Sequence, residues 1–569
     1  MSVSEIYYIC GKLNMKIKAS YGYYALAFGL FLLTVLFPWR LDLTQDKRFT
    51  LHQETKNLLG KLTEPMQIQV FLAGDLPYDY QKLQRSTRQL LEEFQAVSKS
   101  TIQFSFVDLY AEKNEQKREK RFEQLVNLGL GFSTQSFETE DGEKQKLIFT
   151  SALISYKNKQ KPIQLLEGKF LDQVSVGAVE QAINQLEYRI ASAIEKIQQE
   201  KTLRIGFTQA NGELSEGSTQ DVRRSLLDFY AVENVYLSGE VSDTLQLQNL
   251  DLLLVANPQN PFSTSQKYSI DQFLMQGKPV ALMLSTQHIA SDTLKMGKDA
   301  WANPKKTDLE DLLFQYGLKL ANNLVVDARC AVFQVPNGQN QGMRSFKNAS
   351  WYFFPVLDKF PKHALTEQLP PILLQYPSSI DFVGDENLQE FQVLLESSPA
   401  SAAIKTPMSL NYKIADIPLA KLVRQYLPFQ PLAVLLEGHL FSAFRNRNKP
   451  YAGFQEHTEQ GKILLISDGN FIRNAYNENT QEYLPLGFDA IRQEIIYSNK
   501  TFMLNAVDYL LGQDNLLALR ARKLILRPLD RKQVAEEQQF WNVFHVVFAL
   551  VWVALLWLGF WWYRRRLFF

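Results

Sequence analysis

Cysteine is nearly absent. Cys10 and Cys330 are the only two in 569 residues, which excludes the disulfide framework that holds small secreted domains together. An excess of charge of either sign is absent too: lysine plus arginine number 61 against 60 acidic residues. So balanced a chain offers no whole-molecule field for a polyanion, and no nucleic-acid partner is expected. No Gly-x-x-x-x-Gly-Lys-Ser/Thr loop occurs, so the chain supplies no P-loop nucleotide site. There is no His-Glu-x-x-His and no Gly-x-Ser-x-Gly elbow. The six histidines, His52, His288, His363, His439, His457 and His545, lack metal-ligand spacing. These absences predict a non-enzymatic chain with no catalytic residue, metal or cofactor.

What is present is hydrophobic residue enough for a sizeable core, 46% of the chain against 21% charged. At about 150 residues per domain, that length predicts three or four folded units. Residues 21–39 carry no charge and, at about 1.5 Å per helical residue, just cover the ~30 Å hydrocarbon core of a bilayer. Lys12, Lys16 and Lys18 precede this stretch, which predicts a cytoplasmic N-terminal side. Pro38, Trp39 and Arg40 occupy its exit, where a cleavage site needs small residues, so a retained signal anchor is expected. Met15, followed by Lys16-Ile17-Lys18, also makes a normal start for such an anchor. A second span is expected over 541–563, bounded by Trp541 and by Trp561, Trp562 and Tyr563, and followed by Arg564, Arg565 and Arg566. Both termini are then cytoplasmic, the bilayer is a partner, and Cys10 and Cys330 lie on opposite sides of it.

The outer region divides by pattern. In 40–170, an alternating run from Gln67 to Leu72, a helical stripe through Leu83, Leu90, Leu91, Phe94 and Val97, and a second run from Ile102 to Val107 make a β-α-β unit. It resembles a thioredoxin-like domain, but its turn at Gly74-Asp75-Leu76-Pro77 holds no cysteine pair, which excludes disulfide exchange there. Further strand signal spans Lys146 to Tyr156. Apolar residues at three- and four-residue steps from Val176 to Ile197 predict an amphipathic connecting helix, placed at 171–200. From Leu203 strands alternate with helices, the pattern of a largely parallel α/β sheet of Rossmann or glutamine-amidotransferase-like type over 201–515. Ile463 to Ser467 is expected to return to that sheet, and Asn337 to Asp381 reads as loop. Segment 516–540 leads back to the membrane, and 1–20 and 564–569 are the cytoplasmic ends.

Ligands of open parallel sheets gather outside the carboxyl ends of the strands. Polar groups fall there in three places: Gln209, Asn211, Gly212 and Glu213; Asn257 and Pro258; and Asp468, Gly469 and Asn470. Gln209, Asn211, Glu213, Asn257, Asp468 and Asn470 are therefore the candidate ligand-binding residues. Each has an ordinary reading as well, as a strand-exit turn or helix cap.

Several phrases in order along the chain carry a resemblance. They are Leu41-Asp42-Leu43-Thr44-Gln45-Asp46-Lys47-Arg48-Phe49-Thr50, Val70-Phe71-Leu72-Ala73-Gly74-Asp75-Leu76-Pro77, Ser378-Ser379-Ile380-Asp381, Val434-Leu435-Leu436-Glu437-Gly438 with Ser442-Ala443-Phe444-Arg445-Asn446-Arg447, Ile466-Ser467-Asp468-Gly469-Asn470 with Ile472-Arg473-Asn474, and Asn499-Lys500 with Asn505-Ala506-Val507-Asp508-Tyr509-Leu510-Leu511. Together they resemble the GldG-type gliding-motility ABC-transporter auxiliary proteins of Bacteroidetes-type bacteria. The resemblance implies an inner-membrane accessory subunit that works with a separate ABC ATPase and an ABC permease, its large domain periplasmic. It carries over no catalytic residue and no substrate. A solute receptor, a hydrolase or amidotransferase-like enzyme, and a mechanical scaffold stand as the other readings.

Overall fold

A computed structural model describes residues 50–98, 101–139, 142–166, 170–171, 176–198, 201–240, 242–290, 293–294, 298–340, 343–367, 369–450, 453–478, 480–513, 517, 519 and 531–568. The expected first span, Cys10 and the phrase from Leu41 to Phe49 lie outside these residues. Leu51–Lys523 forms one compact unit, and the C-terminal helix belongs to a second.

The first part of the unit opens with α1 (Gln53–Gly60) and β1 (Met66–Val70). In β1, Met66, Ile68 and Val70 are buried and Gln67 and Gln69 are exposed, the period-two pattern of a half-buried strand. Helix α2 (Tyr78–Val97) returns across the sheet and buries Tyr80, Leu83, Thr87, Leu91 and Phe94 at helical spacing. Strand β2 (Ile102–Phe106) then lies parallel to β1, with Met66 opposite Ile102. Helix α3 (Glu115–Asn127), crowded with charge of both signs, presents a solvated face and has Leu125 as its one buried residue.

The strand signal read continuously from Lys146 to Tyr156 is two strands. The first, Gly142–Phe149, pairs with Phe132–Thr139, whereas β3 (Ser151–Tyr156) pairs with β1. The break falls at Thr150, whose N–H donates to Gly131 O and whose carbonyl accepts from Leu165, so its backbone serves neither ladder. Strand β4 (Lys159–Gln164) completes a sheet of order β2-β1-β3-β4. Helix α4 (Val176–Gln198) buries Val179, Ala182, Leu186, Ile190, Ile194 and Ile197 against this sheet and α2.

The second part is built on β5 (Arg204–Thr208), α5 (Gln220–Leu227), β6 (Ala231–Val235), β7 (Leu252–Ala256), α6 (Thr264–Met275) and β8 (Val280–Met283). Next come β9 (Gln287–Ile289), β10 (Ala300–Pro304), β11 (Asn323–Asp327), β12 (Cys330–Asn340) and β13 (Met343–Leu357). They are followed by β14 (Gln389–Glu396), β15 (Ser401–Lys405), β16 (Met408–Leu410), β17 (Pro431–Phe441), β18 (His457–Ile466) and α7 (Asn499–Leu510).

The central sheet has the order β14-β17-β18-β8-β7-β5-β6. The five strands from β18 to β6 are parallel, and β17 and β14 add antiparallel to β18's free side. Both faces are covered: Leu252 and Leu254 enter one core, Leu253 and Val255 the other. That is why β7 reads as an unbroken apolar run.

The stretch from Asn337 to Asp381, which the sequence leaves as loop, carries the whole of β13, paired antiparallel to β12. Its buried Trp351, Phe353 and Phe354 join Tyr376 in an aromatic cluster. The prolines and asparagines around these rings masked their strand signal.

The C-terminal helix α8 runs Arg531–Phe568. Within it, Val543–Trp562 has a mean hydropathy of 2.4, and none of it is buried. Among the described residues it is the one helix long and apolar enough to cross a membrane. Phe544, Val547, Leu550, Trp552 and Val553 are all exposed, and at about 100° per residue they fall on every side of the helix, so apolar side chains lie all round it rather than in one core-facing stripe.

Candidate functional site

Outside the carboxyl ends of β5, β7, β8 and β18 lies a cleft of about 450 Å³. Strand β7 delivers Asn257 to it. That residue has a φ of +52°, in the left-handed region that asparagine tolerates better than most side chains, and its N–H donates to Met283 O at 2.8 Å. The turn after β18 delivers Asn470. Gly469 beside it has no room for a side chain, because a Cβ there would sit 2.4 Å from Asn257 Oδ1.

The two asparagines join through Asn257 Nδ2 donating to Asn470 Oδ1 at 3.0 Å. Lys305 Nζ donates to Asn257 Oδ1 at 2.9 Å, and Arg473 Nη1 donates to Asn470 Oδ1 at 3.3 Å. Two cations thus lie at the ends of one row of amides. Burial pushes the Lys305 amine down to about 8. Its position follows from the β9–β10 hairpin, in which Gln287 faces Pro304 and Lys305 N–H donates to Thr286 O at 2.7 Å.

The sequence candidates separate into two groups. Glu213, Asn257 and Asn470 line the cleft, together with Gly212, Ser285, Gln287, His288, Gln375 and Tyr376. Gln209, Asn211 and Asp468 do not; their polar atoms hold the turns. Gln209 Nε2 donates to Leu214 O at 2.9 Å. Asn211 Nδ2 donates to Pro261 O at 2.8 Å, and its Oδ1 accepts from Gln266, the capping-box residue of α6. Asp468 is 1% exposed and accepts the N–H groups of Gln375 and Asn470 at 2.7 and 2.8 Å. Burial pushes its carboxyl up to about 7. Two buried wall residues keep an oxygen without a hydrogen-bond partner, Glu213 Oε1 and Gln287 Oε1.

Sequence reasoning missed Lys305 and Ser285 altogether and met His288 only as one of six scattered histidines. Arg473 was in view only as part of a family phrase. The apolar pattern of β8 and the Pro304-Lys305-Lys306 turn were the available signals, and neither distinguishes a wall of a cleft from any other loop.

Two of the other family phrases, around Ser442-Ala443 and Asn499-Lys500, anchor the fold. Ser442 Oγ and Ala443 N–H both donate to the fully buried Asp271, at 2.7 and 2.8 Å. Asn499 pairs with both backbone groups of Leu373, and Lys500 Nζ donates to Asp221 Oδ1 at 2.7 Å.

A family model described as ABC-type uncharacterized transport system matches residues 202–506. A domain of unknown function, DUF7088, matches residues 45–155. An uncharacterized protein of Borreliella burgdorferi is 20% identical over 388 residues, which cover 66% of this chain and 68% of that protein. Among solved structures, the mmIFT52 N-terminal domain aligns with 54% of this chain and 97% of its own, at 11% identity and a TM-score of 0.30.

Proposed function

Because the chain belongs to the ABC-type uncharacterized transport system family, as an auxiliary protein of an ABC transporter, we propose that it is the non-enzymatic periplasmic subunit of an inner-membrane complex of the GldG gliding-motility type. The family match over more than half the chain supports the auxiliary-subunit reading, and the ordered phrases from Leu41 to Leu511 are what favour the gliding-motility type. A separate ATPase and a multi-span permease are its partners, since the chain has no P-loop of its own. Two spans hold it, 21–39 and the apolar part of α8, with both termini cytoplasmic; Arg564, Arg565 and Arg566 after Trp562 favour that orientation.

The outer region is a thioredoxin-like unit without the cysteine pair, followed by a Rossmann or amidotransferase-like unit. The order β2-β1-β3-β4, with its first pair parallel and the others antiparallel, supports the first assignment. The five parallel strands of the central sheet support the second. The absence of an enzymatic role draws support from Cys330, whose thiol burial pushes up to about 11, so little thiolate forms at neutral pH.

Affinity purification of the full chain from its native membrane tests the reading. The permease and ATPase should copurify, and replacing 541–563 with a polyleucine span should keep the chain in the membrane while the partners are lost. A preparation that contains neither partner under any mild detergent would overturn the assignment. A second reading, a solute receptor for the same transporter, is favoured by the cleft.

A further inference from the structure

The cations of the cleft are held by amides rather than by acids. Lys305 and Arg473 each donate to an asparagine oxygen, and among the described residues neither takes part in an ion pair. An amide oxygen satisfies the hydrogen-bonding geometry of an ammonium or guanidinium group but brings no full counter-charge, and Glu310, the acid that acts on Lys305, makes no ion pair with it and accepts from Thr307 instead. The carboxylate on the wall, Glu213, is more than nine-tenths buried and already accepts Asn211 N–H at 2.6 Å through Oε2.

A neutral donor lines the same cleft. Ser285 Oγ accepts from Gly469 N–H at 2.9 Å, which leaves its own hydroxyl proton to give. Leu214, Ile289 and Tyr376 supply apolar lining. With Lys305 and Arg473 positive and Glu213 negative, the wall carries one net positive charge, which matches a monoanion better than a dianion. The volume, about 450 Å³, suits a small organic molecule rather than a bare ion or a polymer.

We propose that this cleft binds a small solute through its carboxylate group, with Lys305 and Arg473 as the charged anchors, Ser285 as a hydroxyl donor, and the Leu214, Ile289 and Tyr376 lining against the apolar remainder. The proposal deepens the receptor reading and rests on the cleft alone, so it stands or falls independently of which permease the chain accompanies.

The test is acylation footprinting of the full chain in detergent at neutral pH. Lys305 reports occupancy directly, because its lowered pKa leaves free amine available to an acylating reagent and a bound carboxylate holds it protonated. Neighbouring Lys306, exposed and outside the cleft, is the internal control. Benzoate, a monocarboxylate with an apolar ring, is the probe, and inorganic phosphate is the comparison.

Saturating benzoate should slow acylation of Lys305 relative to Lys306 by about tenfold, the change expected when roughly one pKa unit of protonation is gained. Arg473→Gln, at an exposed position, should abolish the protection without disturbing the fold. Protection by phosphate and not by benzoate would overturn the carboxylate assignment. Equal protection in Arg473→Gln, or no protection by either anion, would overturn the site. Calorimetric titration of Lys305→Met with benzoate gives an independent reading, with loss of the binding heat expected.

Discussion

Lys196 Nζ lies 3.6 Å from Asp508 Oδ1, with the two side chains 4% and 5% exposed. The pair joins α4 to α7, and it does not stand alone: Asp508 also accepts the hydroxyls of Tyr188, at 2.9 Å, and of Tyr230. Lys196 in turn rests over the rings of Phe229 and Tyr230, 4.0 and 4.3 Å from their centroids. Burial pushes the Asp508 carboxyl up and the Lys196 amine down, while their mutual attraction opposes both shifts. The connecting helix, which packs its apolar stripe on the first sheet, is in this way also fastened to the second.

Removing one partner leaves the other buried without its counter-charge. Lys196→Met or Asp508→Leu should destabilise the unit by about 3–5 kcal/mol, whereas the double change Lys196→Met with Asp508→Leu should cost less than either single change. Denaturant midpoints of the full chain in detergent check this, and additive losses in the double variant would refute the coupling.

Gly469→Ala should be costly for a reason local to the cleft. Its Cβ would fall 2.4 Å from Asn257 Oδ1, the atom that accepts Lys305, and Asn257 is held at its other end by Asn470. A loss of about 1–3 kcal/mol is expected, together with loss of the slowed Lys305 acylation in benzoate. Gly60→Ala, where nothing lies within 4 Å, should stay within about 0.5 kcal/mol of the parent and serves as the control.

Cys330→Ser should leave complex assembly unchanged. In a Cys10→Ser background, the folded chain should alkylate at pH 8 much more slowly than the unfolded one, because burial holds the Cys330 thiol up at about 11. Equal rates in the two states would contradict the half-buried placement, and loss of motility with normal folding and assembly would revive the enzymatic reading.

Stability should fall as pH rises from 5 to 7.5. A carboxyl whose folded pKa is raised contributes stability that is fully present below its unfolded value and is lost as pH climbs through the folded one. For Asp468 that window runs from 3.8 to about 7. At about 1.4 kcal/mol per pKa unit it amounts to about 4 kcal/mol at most. Burial raises Asp271 and Asp327 in the same direction. A denaturant midpoint higher at pH 7.5 than at pH 5 would show that other groups dominate. Lys305 acts oppositely and in a different window: its lowered pKa adds stability as pH rises from about 8 to 10.5.

Local pattern alone determined a good deal of this protein. The alternation in β1, the unbroken apolar run of β7, the stripe of α4 and the apolar length inside α8 each follow from side-chain period, which is a property of a few adjacent residues. The turns at Asn211, Asn257 and Asp468-Gly469-Asn470 were legible for the same reason, as strand exits made of the residues that turns prefer. Only the tertiary structure decided which of those polar groups face a cleft. Asn211 and Asp468 spend their side chains on backbone N–H and carbonyl groups near the turns, whereas Asn257 turns outward toward a lysine brought by a separate hairpin and an asparagine that follows β18, two strands away in the sheet but 213 residues on in the chain. That choice depends on the order β18-β8-β7-β5, and strand order is set by how whole faces pack, which no window of neighbouring residues contains.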